Sequence, residues 1–576
     1  DRHTELVANS SRRRPSFTMD EEKHVKVDSP GSPDIEDGHL ADNADGLHRR
    51  LNNRQIQLIA IGGSIGTALF VSIGGGLYKG GPASLFLAYT IYPCILALVN
   101  NSVAEMTVHM PVSGGFIRLA GHWVDDAFGF MAGWNFFLYE ALLIPFEITA
   151  FSLVASYWSD KIPDPGPTAG ICLGIILLYG LLNVLAVRGY GEAEFWLSGG
   201  KVILIFMLFA FTFITMVGGN PQKFAYGFYY WQNPGAFKEY LGSGALGRFE
   251  GFLAALWNAS FAVVGPEYIS MVAAEAKRPR IYIKTAFKTV YFRFALFFFG
   301  SALCVGIVLP HNDVKLAVAN GAEIEGVEAN TAGAGASPYV IAMGNMGISV
   351  LPHIVNVLML TSIFSAGNTY TFCATRSLYG LALEGRAPRI LRYTLSNGVP
   401  IWCFCIVMIF PFLSLLQLNS GSAKVLDWLV ALMTAGGIID FLIMSTTFLF
   451  YWRAVKAQNF DRNKLHYKGW FQPYGAWIAL SFQMLLVIFY QYEAFRPKFD
   501  VEVFFRGYSM QIIAILTFSG WKLYHKTKFV KPEECDLVWE APVIDRYEAR
   551  FTTKPPGFWA EMLQLIGIGR NKYPEE

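Results

Sequence analysis

The sequence predicts an all-α integral membrane protein with twelve transmembrane helices, arranged as a 5+5 inverted repeat followed by two further helices. Three observations lead to this prediction. The chain of 576 residues is 53% hydrophobic and only 16% charged, with a mean hydropathy of +0.35, which is too apolar for a soluble protein of this length. Apolar stretches of roughly 20 residues, the length that a helix needs to cross a bilayer, recur along most of the chain. Two of these stretches are interrupted by glycine or proline in mid-membrane.

Twelve apolar stretches, numbered spans 1 to 12, follow a polar N-terminal segment. They lie approximately at 55–78, 83–108, 127–158, 168–187, 194–217, 250–275, 286–309, 338–382, 400–417, 425–452, 473–492 and 503–524. Spans 3 and 8 are longer than a bilayer requires, so we expect them to tilt or to project beyond it.

The distribution of Lys and Arg orients these spans. Basic residues cluster in alternate loops, at Lys277, Arg278, Arg280, Lys284, Arg386, Arg389, Arg392, Arg453, Lys456, Arg462, Lys464 and Lys468. The loops on the opposite side carry few, such as Lys161, Lys315 and Lys424. By the positive-inside rule, the basic loops and both termini lie in the cytosol.

The chain is expected to have three regions. Residues 1–53 have the composition of a disordered cytosolic tail, residues 54–525 form the membrane domain, and residues 526–576 form a second cytosolic tail. The inverted repeats cover about 54–217 and 250–452. A basic run before Ser16 fits either a solvated segment or a kinase site, so kinases and trafficking proteins are candidate partners of the tails. The cysteine spacing shows no disulfide or metal-ligand pattern, and the net charge of +2 does not indicate nucleic-acid binding. We predict no metal and no cofactor, with the proton as the coupling ion.

Spans 1 and 6 are predicted to be interrupted helices. Span 1 contains a glycine-rich run at 62–67 (GGSIGT), and span 6 contains a Gly-Pro pair at 265–266 at a comparable depth. Non-helical backbone at this depth needs protein or a cavity to satisfy its hydrogen bonds, and a pair of such breaks five spans apart indicates a transporter with inverted repeats. Freed amides suit a carboxylate and freed carbonyls suit an ammonium group, so the pattern favours an amino acid as ligand. The alternative is that the glycines permit close helix packing and the proline merely kinks span 6.

The run at 62–66 also matches G-x-S-x-G, the nucleophile elbow of hydrolases. That elbow requires a preceding strand and a His with an acid behind it, whereas here an apolar helix flanks the motif. We therefore predict no catalytic residues and no enzymatic activity.

Several further motifs make the chain similar to the fungal amino-acid permease family of the amino acid, polyamine and organocation superfamily, from about residue 47 to residue 530. The motifs lie at 54–70 (RQIQLIAIGGSIGTALF), 104–106 (AEM), 111–116 (PVSGGF), 133–135 (GWN), 145–147 (PFE), 234–237 (PGAF), 364–368 (FSAGN), 376–379 (RSLY) and 385–388 (GRAP). Loop residues 220–240 and 420–424 resemble dicarboxylic and broad-range members. The resemblance implies the leucine-transporter-like fold, with spans 1, 3, 6, 8 and 10 around the substrate.

The resemblance also implies a set of substrate-binding residues. In this sequence they are Gly63, Ser64, Gly66, Thr67 and Ala68 around the carboxylate, Phe261 covering the substrate, Gly265 offering backbone to the amino group, and Thr434 lining the side-chain pocket. Two positions depart from the family pattern, because Ala68 replaces a usual glycine and Arg278 a usual asparagine. Neither change removes a charge that the mechanism needs.

Charged residues inside spans cost at least about 2.5 kcal/mol each at mid-depth, so each is a functional candidate. Glu105 and Glu267 are candidates for proton coupling or gating, although Glu105 fits a structural hydrogen bond to a neighbouring helix equally well. Glu147, on span 3, fits either function or a structural hydrogen bond to a neighbouring helix. Glu140 and Asp440, which the family commonly replaces by uncharged residues, are candidates for selectivity.

Lys201 on span 5 is the remaining candidate for coupling. In some proton-coupled relatives of this fold a lysine on span 5 takes the place of a sodium ion, and Lys201 resembles it in position. The alternative is that Lys201 extends to the cytosolic interface and only marks the end of the helix. The resulting hypothesis is a plasma-membrane amino-acid importer coupled to protons. The alternative is a nutrient-sensing receptor with the same pocket.

Overall fold

Every regular element in the described part of the chain is a helix. The computed structural model describes residues 49, 51–185, 190–322, 337–395, 398–420, 422–496 and 498–551, and the single residues 557, 560 and 563. The predicted disordered tail at 1–53 lies almost entirely outside these ranges. The described residues belong to one unit, and its core is formed by buried apolar side chains of the membrane helices.

Nine helices of the described ranges are long and apolar enough to cross a bilayer. They are Ala68–His109, Asp126–Trp158, Pro165–Val184, Trp196–Met216, Pro279–Val308, Ile401–Asn419, Lys424–Ala457, Tyr474–Phe495 and Val501–His525. The first contains span 2 together with the second half of span 1, and these two meet at Gly81, whose φ is 80°. Three predicted spans have no helix of their own among these nine. Spans 1 and 6 are interrupted, and span 8 contains many Ser, Thr and Asn residues. Together with the nine helices they make up the twelve predicted spans. The predicted all-α membrane fold is confirmed.

Both predicted helix breaks are present. The first half of span 1 is Asn53–Ser64, Ile65 is extended at φ −122° and ψ 100°, and the helix resumes after Gly66. The first half of span 6 is Gly244–Ala262, and the second half is the short helix Pro266–Met271. Gly265, between these halves, has φ 154°, a conformation that favours glycine.

Span 8 differs from its prediction. The single helix predicted at 338–382 is two helices, Pro338–Asn345 and Leu351–Leu383. Gly347 lies between them with φ 74° and turns the chain. The intervening residues are apolar enough to extend the hydropathy signal, so hydropathy alone does not reveal this turn.

The C-terminal segment packs against the end of the bundle that the charge pattern assigns to the cytosol. Its helix Ala541–Glu548 lies against the start of span 7, where Glu548 accepts a hydrogen bond of 2.8 Å from the backbone N–H of Arg280. Upstream of that helix, Trp539 stacks on His122 with ring centroids 3.9 Å apart. Cys535 and Leu537, shortly before Trp539, are also buried.

Candidate functional site

A small cavity lies beside both helix breaks. Four spans form its wall, with Gly66 and Ala68 from span 1, Tyr139, Leu143, Phe146 and Glu147 from span 3, Phe261, Ala262 and Val264 from span 6, and Tyr370 from span 8. About one water molecule would fill it, so it is much smaller than an amino acid. The helices are therefore closed around the candidate site in this conformation.

The break in span 1 lies against the Glu147 carboxylate of span 3. The buried Thr67 hydroxyl donates a hydrogen bond to Glu147 Oε2. A Cβ atom on Gly66 would lie 2.9 Å from Glu147 Oε1 and 3.1 Å from the Cβ of Ala366, so only glycine fits without displacing a neighbour. The helix that resumes at Thr67 directs the positive end of its dipole toward this carboxylate. This place thus suits an anionic group.

Gly63 and Ser64 form the end of the first half-helix of span 1. Their surroundings lie outside the described residues, so their predicted contact with a carboxylate stays a prediction. Ala68 lines the cavity and begins a π-helical turn, Ala68–Ser72. A side chain is therefore accommodated at the position where the family usually has glycine.

Lys201 is fully buried in span 5. Its ammonium group attracts the Glu147 carboxylate, and helix Asn53–Ser64 of span 1 packs against helix Tyr190–Met216, which contains Lys201. A lysine that reached the interface would leave its ammonium group exposed, so full burial does not fit that alternative. Thr67, Glu147 and Lys201 thus connect spans 1, 3 and 5 in one buried polar group.

At the break in span 6, the backbone is hydrogen-bonded to the carboxylate of Glu267, a residue of the same span. The Gly265 N–H donates to both Oε1 and Oε2 of Glu267, each at 3.1 Å. Glu267 lies in the first turn of helix Pro266–Met271, where the helix dipole favours a negative charge, and the buried Arg293 of span 7 attracts it. The backbone N–H of Gly265 is therefore already satisfied.

Phe261 lines the cavity, whereas Thr434 is not among the residues that do. The Phe261 ring packs edge-on against Phe146, with centroids 5.3 Å apart and planes at 89°. The Thr434 hydroxyl donates to the carbonyl of Val430 at 2.7 Å. The assignment of Thr434 to the side-chain pocket stays a prediction.

Glu105 forms an ion pair with the basic loop after span 10 and is not among the residues that line the cavity. Arg462 donates to both oxygens of its carboxylate at 2.8 and 2.6 Å, and the Gly469 N–H donates to Oε2 at 2.7 Å. Two oxygens thus accept three hydrogen bonds between span 2 and the loop after span 10. This geometry suits a structural lock between these elements more directly than a proton carrier.

Glu140 and Asp440 are buried in neighbouring spans 3 and 10. Asn135 donates to Asp440 Oδ1 at 2.9 Å, while Asp440 Oδ2 and both Glu140 oxygens have no hydrogen-bond partner among the described residues. Glu140 interacts electrostatically with Glu267 and Asp440. Three predicted candidates, from different spans, therefore belong to one acidic group.

Sequence reasoning did not assign seven wall residues to the substrate site, and four of these, Tyr139, Phe146, Glu147 and Tyr370, carry an aromatic ring or a carboxyl group. Tyr139, Phe146 and Glu147 are spaced by seven and one along span 3, so they share one side of that helix with Leu143. An analysis of helical faces, rather than of single charges, would have grouped Glu147 with the aromatic side chains.

Comparisons with known proteins agree with this architecture. The amino acid permease family matches residues 55–533. The chain is 45% identical over 511 residues to the general amino acid permease AGP2 of Saccharomyces cerevisiae, covering 87% of this chain and 83% of that one. It is 34% identical over 507 residues to the dicarboxylic amino acid permease of the same yeast, covering 87% and 81%. It is also 34% identical over 536 residues to a proline-specific permease of Emericella nidulans, covering 92% and 95%. The chain therefore belongs to the fungal amino-acid permease family of the amino acid, polyamine and organocation superfamily.

Proposed function

We propose that this protein is a secondary transporter that imports amino acids across the plasma membrane by proton symport and alternating access, with both termini in the cytosol. The observation that carries the proposal is that two interrupted helices border one closed cavity, at Ile65–Gly66 and at 263–265. The relatives' names, which are those of amino acid permeases, support it.

The two breaks have complementary chemistry toward an amino acid. The half-helix that resumes at Thr67 offers amide groups to the α-carboxylate, while the half-helix Gly244–Ala262 ends in carbonyl groups that suit the α-ammonium group. The rings of Phe146 and Phe261 pack together at the cavity wall, where they would shield this pair of charges from water. Low polarity around the charges strengthens both interactions.

Lys201 and Glu147 provide a route for coupling to protons. A fixed ammonium group at Lys201 attracts Glu147, which in turn accepts a hydrogen bond from Thr67 beside the carboxylate site. Addition or removal of one proton in this group changes the charge next to the substrate carboxylate. Substrate binding and protonation are then linked because each alters the free energy of the other.

The test is uptake of radiolabelled amino acids into proteoliposomes that contain the purified full chain, under an imposed pH gradient. We expect accumulation that collapses when a protonophore removes the gradient. Lys201→Met should keep exchange of substrate across the membrane but lose accumulation. Lys223→Met, at an exposed loop lysine, is the matched control and should accumulate normally. Unchanged accumulation by Lys201→Met would remove Lys201 from the mechanism, and accumulation without dependence on pH would overturn proton symport.

A further inference from the structure

We propose that the substrate site has a second, acidic compartment formed by Glu140, Asp440 and Glu267, and that it binds a cationic group of the substrate. The preferred substrates are then amino acids, or related amines, that carry a positive charge on the side chain. This inference rests on the proposed transport function and specifies its substrate class.

The acidic compartment is adjacent to the cavity along span 3. Glu140 precedes the cavity residues Leu143 and Glu147 by three and seven positions, so the three side chains share a face of helix Asp126–Ala155. At 1.5 Å per residue, Glu140 lies about 10 Å from Glu147 along the helix axis. That separation suits a long side chain whose α-carboxylate binds at Thr67 and whose terminal cation reaches Glu140.

The tyrosines connect the two compartments. Tyr370 and Tyr139 line the cavity, and the ring of Tyr370 lies 6.1 Å from that of Tyr268. The buried Tyr268 hydroxyl makes no hydrogen bond of ordinary length and angle with a described residue, but it lies near enough to Glu140, Tyr139 and Tyr370 to interact with all three. A polar side chain independent of the carboxylates is therefore placed between them and the cavity, where a cationic ligand would pass.

Buried carboxylates require nearby cations and hydrogen-bond donors, and the acidic compartment has few of either. Glu140 is fully buried, and the strongest charges acting on it are those of Glu267 and Asp440, which are also acidic. Arg293 attracts Glu267, the one member whose carboxylate already accepts hydrogen bonds from Gly265. The Glu140 oxygens and Asp440 Oδ2 remain available. An ammonium or guanidinium group would supply both the positive charge and the missing donors.

The alternative is that Glu140 and Asp440 stay protonated and only fill space between spans 3 and 10. The two explanations differ in how substitution affects different substrates. Removal of the charges should weaken uptake of a cationic substrate selectively if the acidic compartment binds it. If Glu140 and Asp440 are protonated and only structural, their substitution by amides of the same shape should leave the substrate selectivity unchanged.

The experiment measures uptake of radiolabelled lysine and leucine into proteoliposomes with the full chain, for wild type, Glu140→Gln and Asp440→Asn. Glu239→Gln, at an exposed acid, is the control. We expect the KM for lysine to rise at least about tenfold in either variant, because each lost hydrogen bond was charged, while uptake of leucine changes less than about twofold. Equal loss of both substrates would overturn the proposal in favour of a general coupling role, and unchanged lysine uptake would overturn it in favour of a structural pair.

A second measurement on the wild-type protein keeps the proposal testable if a variant does not fold. Unlabelled lysine, arginine, norleucine and glutamate compete with labelled leucine. Lysine and arginine should compete at least about tenfold better than norleucine, which has the length of lysine without its charge. Equal competition by norleucine, or stronger competition by glutamate, would overturn the proposal. Absence of leucine and lysine transport in wild type would instead overturn the proposed function itself.

Discussion

Gly66→Val should abolish uptake without preventing membrane insertion. The Cβ atom of alanine alone would meet Glu147 Oε1 at 2.9 Å, Ala366 Cβ at 3.1 Å and the Tyr370 hydroxyl at 3.6 Å. Overpacking of this kind costs about 1–3 kcal/mol. Because the substrate carboxylate needs the same space, we expect this cost to fall on the substrate-bound protein, which weakens binding by about 5- to 150-fold for Gly66→Ala. Valine adds two more methyl groups toward a cavity that holds about one water molecule, so the loss for Gly66→Val should exceed that range.

The assay for Gly66 is initial-rate uptake into proteoliposomes, normalised to the amount of reconstituted protein. Gly174→Val is the matched control, because no atom outside its own helix neighbourhood lies within 4 Å of a Cβ atom built there. It introduces the same side chain into span 4, Pro165–Leu185, and should transport normally. Size-exclusion profiles of both variants report folding independently of uptake. Wild-type uptake by a folded Gly66→Val protein would refute the placement of the substrate at the break in span 1.

Three further predictions concern residues outside the cavity. Arg462→Ala leaves the buried Glu105 carboxylate without its cationic partner, so the melting temperature in detergent should fall by the equivalent of about 3–5 kcal/mol. Arg462→Lys should recover part of this loss. Burial lowers the pKa of His311 to about 4, so the folded protein takes up fewer protons than the unfolded chain. Stability should therefore fall as the pH drops from about 6.5 to about 4, and this part of the pH dependence should disappear in His311→Asn. Burial raises the pKa of the Cys535 thiol to about 12, so maleimide should label this thiol slowly. Trp539→Ala removes the contact with His122 and should accelerate the labelling by loosening the C-terminal segment. Cys535→Ser is the control that identifies the labelled residue.

The membrane fold could be predicted from the sequence because the bilayer limits the alternatives. Backbone hydrogen bonds must be satisfied within each span, so apolar length and the spacing of basic loops determine the helices. The breaks at Gly66 and Gly265 were also predictable, since glycine and proline mark them locally. The turn at Gly347 within the predicted span 8 was missed, because its neighbours are as apolar as the helices that it joins.

The polar partners of the site could not be predicted in the same way. Thr67 and Glu147 are 80 residues apart, and Lys201 belongs to a third span. Their proximity depends on how spans 1, 3 and 5 pack, which no local pattern specifies. Glu105 illustrates the same limit, since its charge suggested function whereas its bidentate partner, Arg462, is 357 residues away in a loop.

The small volume of the cavity gives the two helix breaks a second role. An amino acid is much larger than a space of about one water molecule, so on the proposed function we expect the half-helices to move apart, in addition to any rotation of Phe261 or Tyr370. Ile65–Gly66 and the residues at 263–265 are the non-helical points of spans 1 and 6 beside the cavity, and non-helical backbone bends more easily than a hydrogen-bonded helix. The groups proposed to bind the substrate are thus the groups about which the half-helices would hinge. Binding and movement are then inseparable at Gly66, and a side chain added there should slow the conformational step as well as weaken substrate affinity.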